Sequence, residues 1–298
     1  MKYNVVIVNY FTSDYVQQCL ATLDSKLCNS IVIVDNSSDQ TELEKLRRVS
    51  RPFNAIVVEA SSNLGFGAGV NLGVAKLELT SATDTIWVLN PDTKIQMYAD
   101  AALLREMQKG NYEILSPVIT CGDTAESIWF QGGSLDKQTG RVTHWNYLQP
   151  YRSTEETYTT QFMCGAAPMF TQSAWQALGG FNESLFMYWE DAELSWRAHD
   201  ARIKMGICGS SAIWHAVGGS SGESGESRLF YLMSARNRLL MLRTYNGLLP
   251  LLKPRTMIET IKFALRPLRR EKTKRFQKFA AGLTGIYQGI TKETLRKN

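Results

Sequence analysis

The chain lacks paired cysteines. Cys19, Cys28, Cys121, Cys164 and Cys208 are odd in number and widely scattered, with no CxxC pair among them. That removes the usual signs of a zinc ribbon or a disulfide framework and fits a reducing compartment. Long apolar runs are missing as well: none approaches the roughly 20 residues that span a bilayer, and the first residues enter a strand-like segment without a signal-peptide layout. A soluble or peripheral protein is therefore expected. Wholesale disorder is excluded, because 298 residues with 44% hydrophobic content can bury a sizeable core. No internal repeat is present.

What the chain does have is an uneven charge. Residues 250–298 hold 13 Lys/Arg against 3 Glu, whereas residues 1–249 hold 20 against 25, so a body of about −5 carries a tail of +10. Such a tail can meet anionic lipid or nucleic acid, or simply present a solvated helical face.

The first third alternates short β-branched runs with helical spacing. YNVVIV at 3–8, IVIVD at 31–35, AIVVE at 55–59 and TIWVLN at 85–90 read as strands buried on both faces of a parallel sheet. Helix-like patterns at 14–23, 41–49 and 67–79 lie between them and make repeated βαβ units. Ligands of such sheets sit beyond the carboxyl ends of the strands, so the polar residues there are the candidates. From 128 to 160 the aromatic, QGG and TG content implies β-hairpins or an excursion off the main sheet, a region expected to shape a pocket rather than form the core. Helices are expected at 173–178 and 190–200 and a strand at 203–208. GGSSGESGES at 218–227 reads as a linker or a mobile active-site loop. Basic amphipathic helices follow at 228–246 and 256–290, with Pro250, Pro254 and Pro267 as breaks. The expected division is a catalytic unit over 1–227 and a basic helical region over 228–298 that packs on it.

Asp35 ends the second strand, where a carboxylate can accept hydrogen bonds from a base or ribose; Asp-Asn-Ser-Ser is equally good Asx-turn chemistry. NLGFGAGVNLG at 63–73 lets backbone approach a phosphate or base, or serves as a close-packed strand-to-helix turn. Its place after the third strand argues against a nicotinamide enzyme, whose glycines follow the first. Asp92, in VLNPDTKI, can hold a hard cation that also binds a diphosphate, although Asn-Pro-Asp-Thr also makes a type I turn. In MYWEDAELSWR at 187–197, Glu190, Asp191 and Glu193 gather at a helix start. Helix-dipole preference and a Glu193–Arg197 pair explain much of this pattern. They do not explain why Phe186, Met187, Tyr188 and Trp189 crowd beside two adjacent acids. An aromatic-walled carboxylate suits a general base, since desolvation raises its pKa toward the working pH. His215, one of three histidines, closes AIWH at 212–215 as a metal ligand or as a satisfied core residue.

Taken with VIVNY at 6–10 and GGFNESLF at 179–186, these segments in this order resemble the family 2 glycosyltransferases of GT-A fold, especially their bacterial rhamnosyltransferase branch. The likeness covers about residues 3 to 245. It implies an α/β fold with a Rossmann-like, mainly parallel sheet and a helical C-terminal extension. It further implies that Val8, Tyr10 and Asp35 line the nucleotide base pocket, with Asn63 and Gly65 nearby, and that Gly165 and Ala166 floor the donor site. Asp92 and His215 would be the ligands of Mg²⁺ or Mn²⁺, with Asn90 where the family's first metal-motif acid often stands. Asp191 would be the catalytic base, with Glu190 and Arg197 supporting its helix. Asn182 occupies a position that is often Asp in the family, which bears on acceptor preference.

The resemblance implies single-displacement, inverting transfer of a sugar from a nucleotide donor to a glycan or glycolipid of a surface-polysaccharide pathway such as lipopolysaccharide or O-antigen. The favoured donor is dTDP-L-rhamnose. UDP-sugars, a galactofuranose donor among them, and a non-catalytic nucleotide- or glycan-binding domain are the alternatives. A cytoplasmic enzyme follows, peripheral at most on the inner face of the membrane, where Lys262, Arg266, Arg269, Arg270, Lys274 and Arg275 would meet anionic lipid. Nucleic acid is not an expected partner.

Overall fold

The protein is described from a computed structural model over residues 2–216 and 225–295. Strands β1 (Tyr3–Asn9), β2 (Cys28–Asp35), β3 (Ile56–Glu59) and β4 (Thr85–Leu89) alternate with helices α1 (Ser13–Leu20), α2 (Gln40–Ser50) and α3 (Phe66–Val74). Every residue of β1 and β4 is buried, as their unbroken apolar runs require of strands covered on both faces. There follow β5 (Thr93–Ile95), α4 (Ala99–Gln108), β6 (Ile114–Cys121), β7 (Ser127–Phe130), β8 (Gly133–Asp136), β9 (Arg141–His144), β10 (Thr157–Thr159) and β11 (Met169–Thr171). The chain then forms α5 (Gln172–Leu178), α6 (Glu190–Asp200), β12 (Met205–His215), α7 (Arg228–Asn246), α8 (Pro254–Arg270) and α9 (Arg275–Thr291).

The main sheet runs β10-β12-β6-β11-β4-β1-β2-β3, with β5 paired to the end of β12 and β7 to β6. The β1–β2, β1–β4, β2–β3 and β6–β12 pairs are parallel, while β11 lies antiparallel between β4 and β6. The chain builds outward from β1 through β2 to β3, then returns to place β4 on the other side of β1. That reversal opens a crevice beyond the carboxyl ends of β1 and β4, where ligands of open α/β sheets bind.

Three sequence-based expectations need correction. The segment 128–160 does not stand off the sheet: β7 and β10 are strands of it, Phe130 is fully buried in the core, and only the β8–β9 hairpin is separate. The strand expected at 203–208 runs on to His215 through an irregularity between Cys208 and Ala212, where Gly209-Ser210-Ser211 interrupts the apolar pattern. Pro267 does not break α8; it falls in the last turn, where its missing N–H forfeits a single helical bond, and Pro254 opens the helix at its first position. Of the Gly/Ser-rich segment, residues 218–224 lie outside the described residues, and Ser227 caps α7 by accepting from the Phe230 N–H at 3.0 Å.

Helix α7 shares its core with the sheet, since Leu239, Leu240, Met241 and Leu242 belong to the same buried cluster as Tyr3 and Trp87. Trp196 of α6 stacks on Tyr245 at 5.1 Å, and the Tyr245 hydroxyl donates to Glu193 at 2.5 Å. Helix α9 lies close on α7 through Gly285 and Gly289, where a Cβ would come within 2.2 Å of Leu232 O and 2.7 Å of Arg236 O. The basic tail is not wholly a solvated face: Lys278 is 1% exposed and pairs with Glu271 at 2.6 Å, and Glu271 also accepts from the Tyr231 hydroxyl at 2.8 Å. None of the described helices is long and apolar enough to cross a membrane.

Removing one partner of a buried ion pair strands the other charge in a low dielectric, a cost of about 3–5 kcal/mol. Lys278→Ala is therefore expected to lower the free energy of unfolding by about that amount in urea titration. A loss below about 1 kcal/mol would mean that water reaches Glu271.

Candidate active site

Asp92 and His215 arrive together because of strand pairing. The Asn90-Pro91-Asp92 turn leads from β4 into β5, and β5 pairs with the end of β12 so that Thr93 faces His215. The Thr93 hydroxyl donates to Asn90 O at 2.7 Å and the Ala216 N–H to Asp92 O at 3.1 Å, which fixes the turn against the strand. His215 Nε2 then lies 3.0 Å from Asp92 Oδ1 and 3.5 Å from Asn90 Nδ2. The ring is buried, edge-on to Trp129 at 4.9 Å, and its Nδ1 has no hydrogen-bond partner.

This pair fits a small divalent cation. Neighbouring ligands held about 2.1 Å from an octahedral ion sit about 3 Å apart; the carboxylate oxygen suits Mg²⁺ or Mn²⁺, and the imidazole nitrogen suits Mn²⁺ better than the harder Mg²⁺. Among the described residues no group of three or more His, Cys, Asp or Glu could hold a metal. The remaining positions would fall to water or to a bound ligand.

Glu190 and Asp191 open α6 behind a strained turn. Phe186, Tyr188 and Trp189 have φ of 60°, 65° and 71°, a region costing non-glycine residues about 1–3 kcal/mol each. Asn237 of α7 holds the turn: its Nδ2 lies 2.8, 2.9 and 2.7 Å from Leu185 O, Met187 O and Tyr188 O, its two N–H donors shared among the three. Arg236 adds a bond to Leu185 O at 3.1 Å, and Trp189 Nε1 donates to Gly140 O at 3.3 Å. So placed, Asp191 accepts from the Gly165 N–H at 3.2 Å through one oxygen and from the Ala192 N–H at 2.8 Å through the other.

Burial lifts both carboxyls above the ordinary range, and the charge of Asp191 lifts Glu190 further. Two N–H donors favour the charged form of Asp191, whereas Glu190 Oε2 is buried without a partner. Asp191 is thus the better placed of the two to ionise first. Arg197 takes no part in this pair: its guanidinium binds Glu193, Leu178 O and Gly180 O and ties α6 to the end of α5.

The remaining candidates sit at the ends of β1, β2 and β3. Asp35 is 1% exposed, and its oxygens accept from Asn9 Nδ2 at 2.9 Å and from the Ser37 hydroxyl at 2.8 Å. The carboxylate expected to meet a base or ribose is here engaged in orienting Asn9 and Ser37. Val8 is buried beneath Gly69, while Tyr10 is half exposed with its ring edge-on to Phe11 at 5.0 Å. Asn63 Oδ1 accepts from the Gly65 N–H at 3.0 Å. Gly65 has φ +84°, and a Cβ there would fall 2.1 Å from Phe186 O.

Three short links join these groups. Phe66 N–H donates to Phe186 O at 2.8 Å, tying the glycine turn to the strained turn before Asp191. Gly165 holds Asp191, and its neighbour Ala166 accepts from the Asn90 N–H at 2.8 Å, one turn from Asp92. Sequence reasoning missed Asn9, Asn36 and Asn237. Asn36 donates to Gly65 O at 2.8 Å and leaves its buried Oδ1 without a partner. The available signal for Asn237 was a short amide standing in the otherwise apolar or basic run SARNRLLMLR.

Gly65→Ala must both hold a strained φ and displace Phe186 O, and is expected to cost at least about 1–3 kcal/mol of stability. Gly282→Ala, whose Cβ meets nothing within 4 Å, is expected to be neutral or mildly stabilising in the same urea titration. Equal behaviour of the two variants would mean that the Gly65–Phe186 contact is not rigid. The Glu190–Asp191 pair has a linked pH signature. Because folding raises both pKa values, its contribution is fully present below the ordinary carboxylate range and is lost as pH rises through the raised values. Glu190→Gln should therefore gain stability relative to the parent between about pH 4 and pH 8; a pH-independent difference would contradict the burial of Glu190.

A family model described as glycosyl transferase family 2 matches residues 4–179, more than half of the chain, and ends before Asp191 and His215. The chain is 26% identical over 214 residues to the low-salt glycan biosynthesis hexosyltransferase Agl10 of Haloferax volcanii, a match spanning 69% of this chain and 64% of that protein. It is 25% identical over 249 residues to the N-acetylglucosaminyl-diphospho-decaprenol L-rhamnosyltransferase of Mycobacterium tuberculosis, spanning 76% of this chain and 79% of that one. Among solved structures, GalNAc-T7 with UDP, GalNAc and Mn²⁺ superposes with a TM-score of 0.65 at 16% identity, over 94% of this chain and 53% of that one. That likeness bears on the fold alone, a GT-A architecture. With the family model matched across the crevice-forming strands, the chain belongs to glycosyl transferase family 2.

Proposed function

We propose that the protein is an inverting hexosyltransferase that moves one sugar from a nucleotide donor to an acceptor hydroxyl, with Asp191 as the general base. The observation that supports this reading is the chain of contacts from Asp191 through Gly165-Ala166 to Asn90, which links a buried carboxylate to the turn that carries Asp92, itself 3.0 Å from His215. Burial keeps Asp191 basic enough to take a proton near neutrality, and its two N–H donors aim it. In the transfer the acceptor oxygen bonds the anomeric carbon as the bond from that carbon to the diphosphate breaks. The acceptor's proton passes to Asp191, and the nucleoside diphosphate departs on the opposite face. A divalent cation held by Asp92 and His215 would neutralise charge on the departing diphosphate. The unpartnered Asn36 Oδ1 and the half-exposed Tyr10 offer an acceptor and a ring surface for the nucleotide at the ends of β1 and β2.

L-Rhamnose from dTDP-L-rhamnose is the favoured donor sugar, supported by the similarity to the mycobacterial rhamnosyltransferase. A UDP-sugar is the second reading, favoured by the solved neighbour that binds UDP. A binding domain without turnover accounts poorly for a desolvated carboxyl pair, since recognition needs no base. The acceptor is a glycan or glycolipid of surface-polysaccharide assembly, including lipopolysaccharide and O-antigen. The enzyme works in the cytoplasm, with residues 228–295 facing acceptor and membrane.

Asp191→Asn is expected to reduce transfer by about 10²- to 10⁴-fold or more. The rise in melting temperature given by nucleotide-sugar with Mn²⁺ should survive that change. His215→Ala, or chelation of the parent, should remove the metal-dependent part of the rise. Retained turnover in Asp191→Asn would overturn the assignment.

A further inference from the structure

A cleft of about 490 Å³ lies between α7, α8 and the β8–β9 hairpin, with Trp189 of the strained turn in its wall. Its walls carry six cations, Arg141, Arg238, Lys262, Arg266, Arg269 and Arg270, against the single acid Glu259. Glu259 is occupied by Lys262 at 3.0 Å and Arg141 at 3.9 Å. Arg238 is spent on structure, donating to Thr139 O at 2.9 Å and to the Thr260 hydroxyl. Arg266 reaches Glu226 at 3.5 Å and lies over the Phe230 ring at 5.5 Å. Arg269 and Arg270 are exposed, and among the described residues neither has an acidic partner. Four residues of the tail that the sequence suggested would spread on a leaflet thus converge on one concavity, and its positive charge is not balanced from within.

The rest of the lining is aromatic. Trp189, Phe230 and Phe263 border the cleft, with Phe230 and Phe263 6.2 Å apart. The same helix also carries Met257, Ile258 and Ile261, each about half exposed, within six residues of the cleft's Lys262. Trp189 also precedes Glu190 and Asp191 directly, so the cleft adjoins the proposed base. Guanidinium groups bind phosphate oxygens in a bidentate fork, and aromatic and aliphatic surface takes a hydrocarbon chain.

Resting on the transferase reading above, we propose that this cleft binds the acceptor's anchor: a phosphate or diphosphate group, gripped by Arg269 and Arg270, that links the sugar being extended to an apolar chain. The anion would seat the acceptor so that its sugar passes Trp189 toward Asp191. Nothing covalent happens in the cleft; its part is to position.

Titration of the full chain with geranyl diphosphate, geraniol, inorganic pyrophosphate and phosphatidylglycerol vesicles tests this. Geranyl diphosphate should bind more tightly than either geraniol or pyrophosphate, because only it carries both halves of the ligand. The double variant R269A/R270A should weaken it by about tenfold or more, while the melting-temperature rise given by nucleotide-sugar with Mn²⁺ stays as in the parent and reports an intact fold. Asp191→Asn should bind geranyl diphosphate like the parent, so loss of the base assignment and loss of the cleft assignment are read separately. Equal binding of geraniol and geranyl diphosphate would overturn the proposal, as would an R269A/R270A affinity equal to the parent's. Vesicle binding that depends on the two arginines, without geranyl diphosphate binding, would make the cleft a headgroup site and also overturn it.

Discussion

The main-chain turn from Leu185 to Trp189 is the constraint on which the rest depends. Three of its residues sit in a backbone region that side chains disfavour, so it persists only where its surroundings hold it. Those surroundings come from opposite ends of the chain. Gly65, behind β3, gives its backbone space to Phe186, and Asn237, in α7, engages three carbonyls of the turn. Helix α7 is for that reason part of the site rather than an appendage, and the turn delivers Asp191 to the N–H of Gly165.

Electrostatics divides α6 into two halves with separate duties. Glu193 is fully buried but satisfied by the Arg197 guanidinium and the Tyr245 hydroxyl, so its charge is compensated and anchors the helix. Among the described residues no cation acts on Glu190 or Asp191; burial leads in raising both, and this keeps protons on them to higher pH. The same helix thus holds a carboxylate paired with a guanidinium and two carboxylates whose burial is uncompensated by any cation. Asp92 and His215 are brought to 3.0 Å by pairing of β5 with β12, so backbone geometry sets this pair too.

The strands β1 to β4 were legible because a parallel sheet covered on both faces writes itself as unbroken β-branched runs, and the polar residue closing each run marks the crevice. The acidic start of α6 and the exact reach of α7 could be read for similar reasons of helix periodicity and capping. What escaped has equally physical causes. Strand β11 is three residues long and antiparallel, too short to show a period, yet it completes the sheet between β4 and β6. Strand β12 hides behind Gly209-Ser210-Ser211, where the irregularity suspends alternation. Asn237 acts through main-chain carbonyls distant in sequence, which leave no trace in the residues they belong to. The basic tail showed its charge but not its shape: Lys278 is buried against Glu271, and four other cations face a common cleft.

The central proposal is that Asp191, held by this turn, and the Asp92–His215 pair serve one donor sugar, the first as base and the second as metal ligands. A crystal grown with Mn²⁺ and a nucleoside diphosphate sugar tests it most directly through the manganese anomalous signal and the sugar's position. The account predicts one Mn²⁺ in contact with Asp92 Oδ1 and His215 Nε2, the diphosphate on that ion, and the anomeric carbon facing the Asp191 carboxylate. Manganese bound away from this pair, or a donor sugar turned from Asp191, would contradict it.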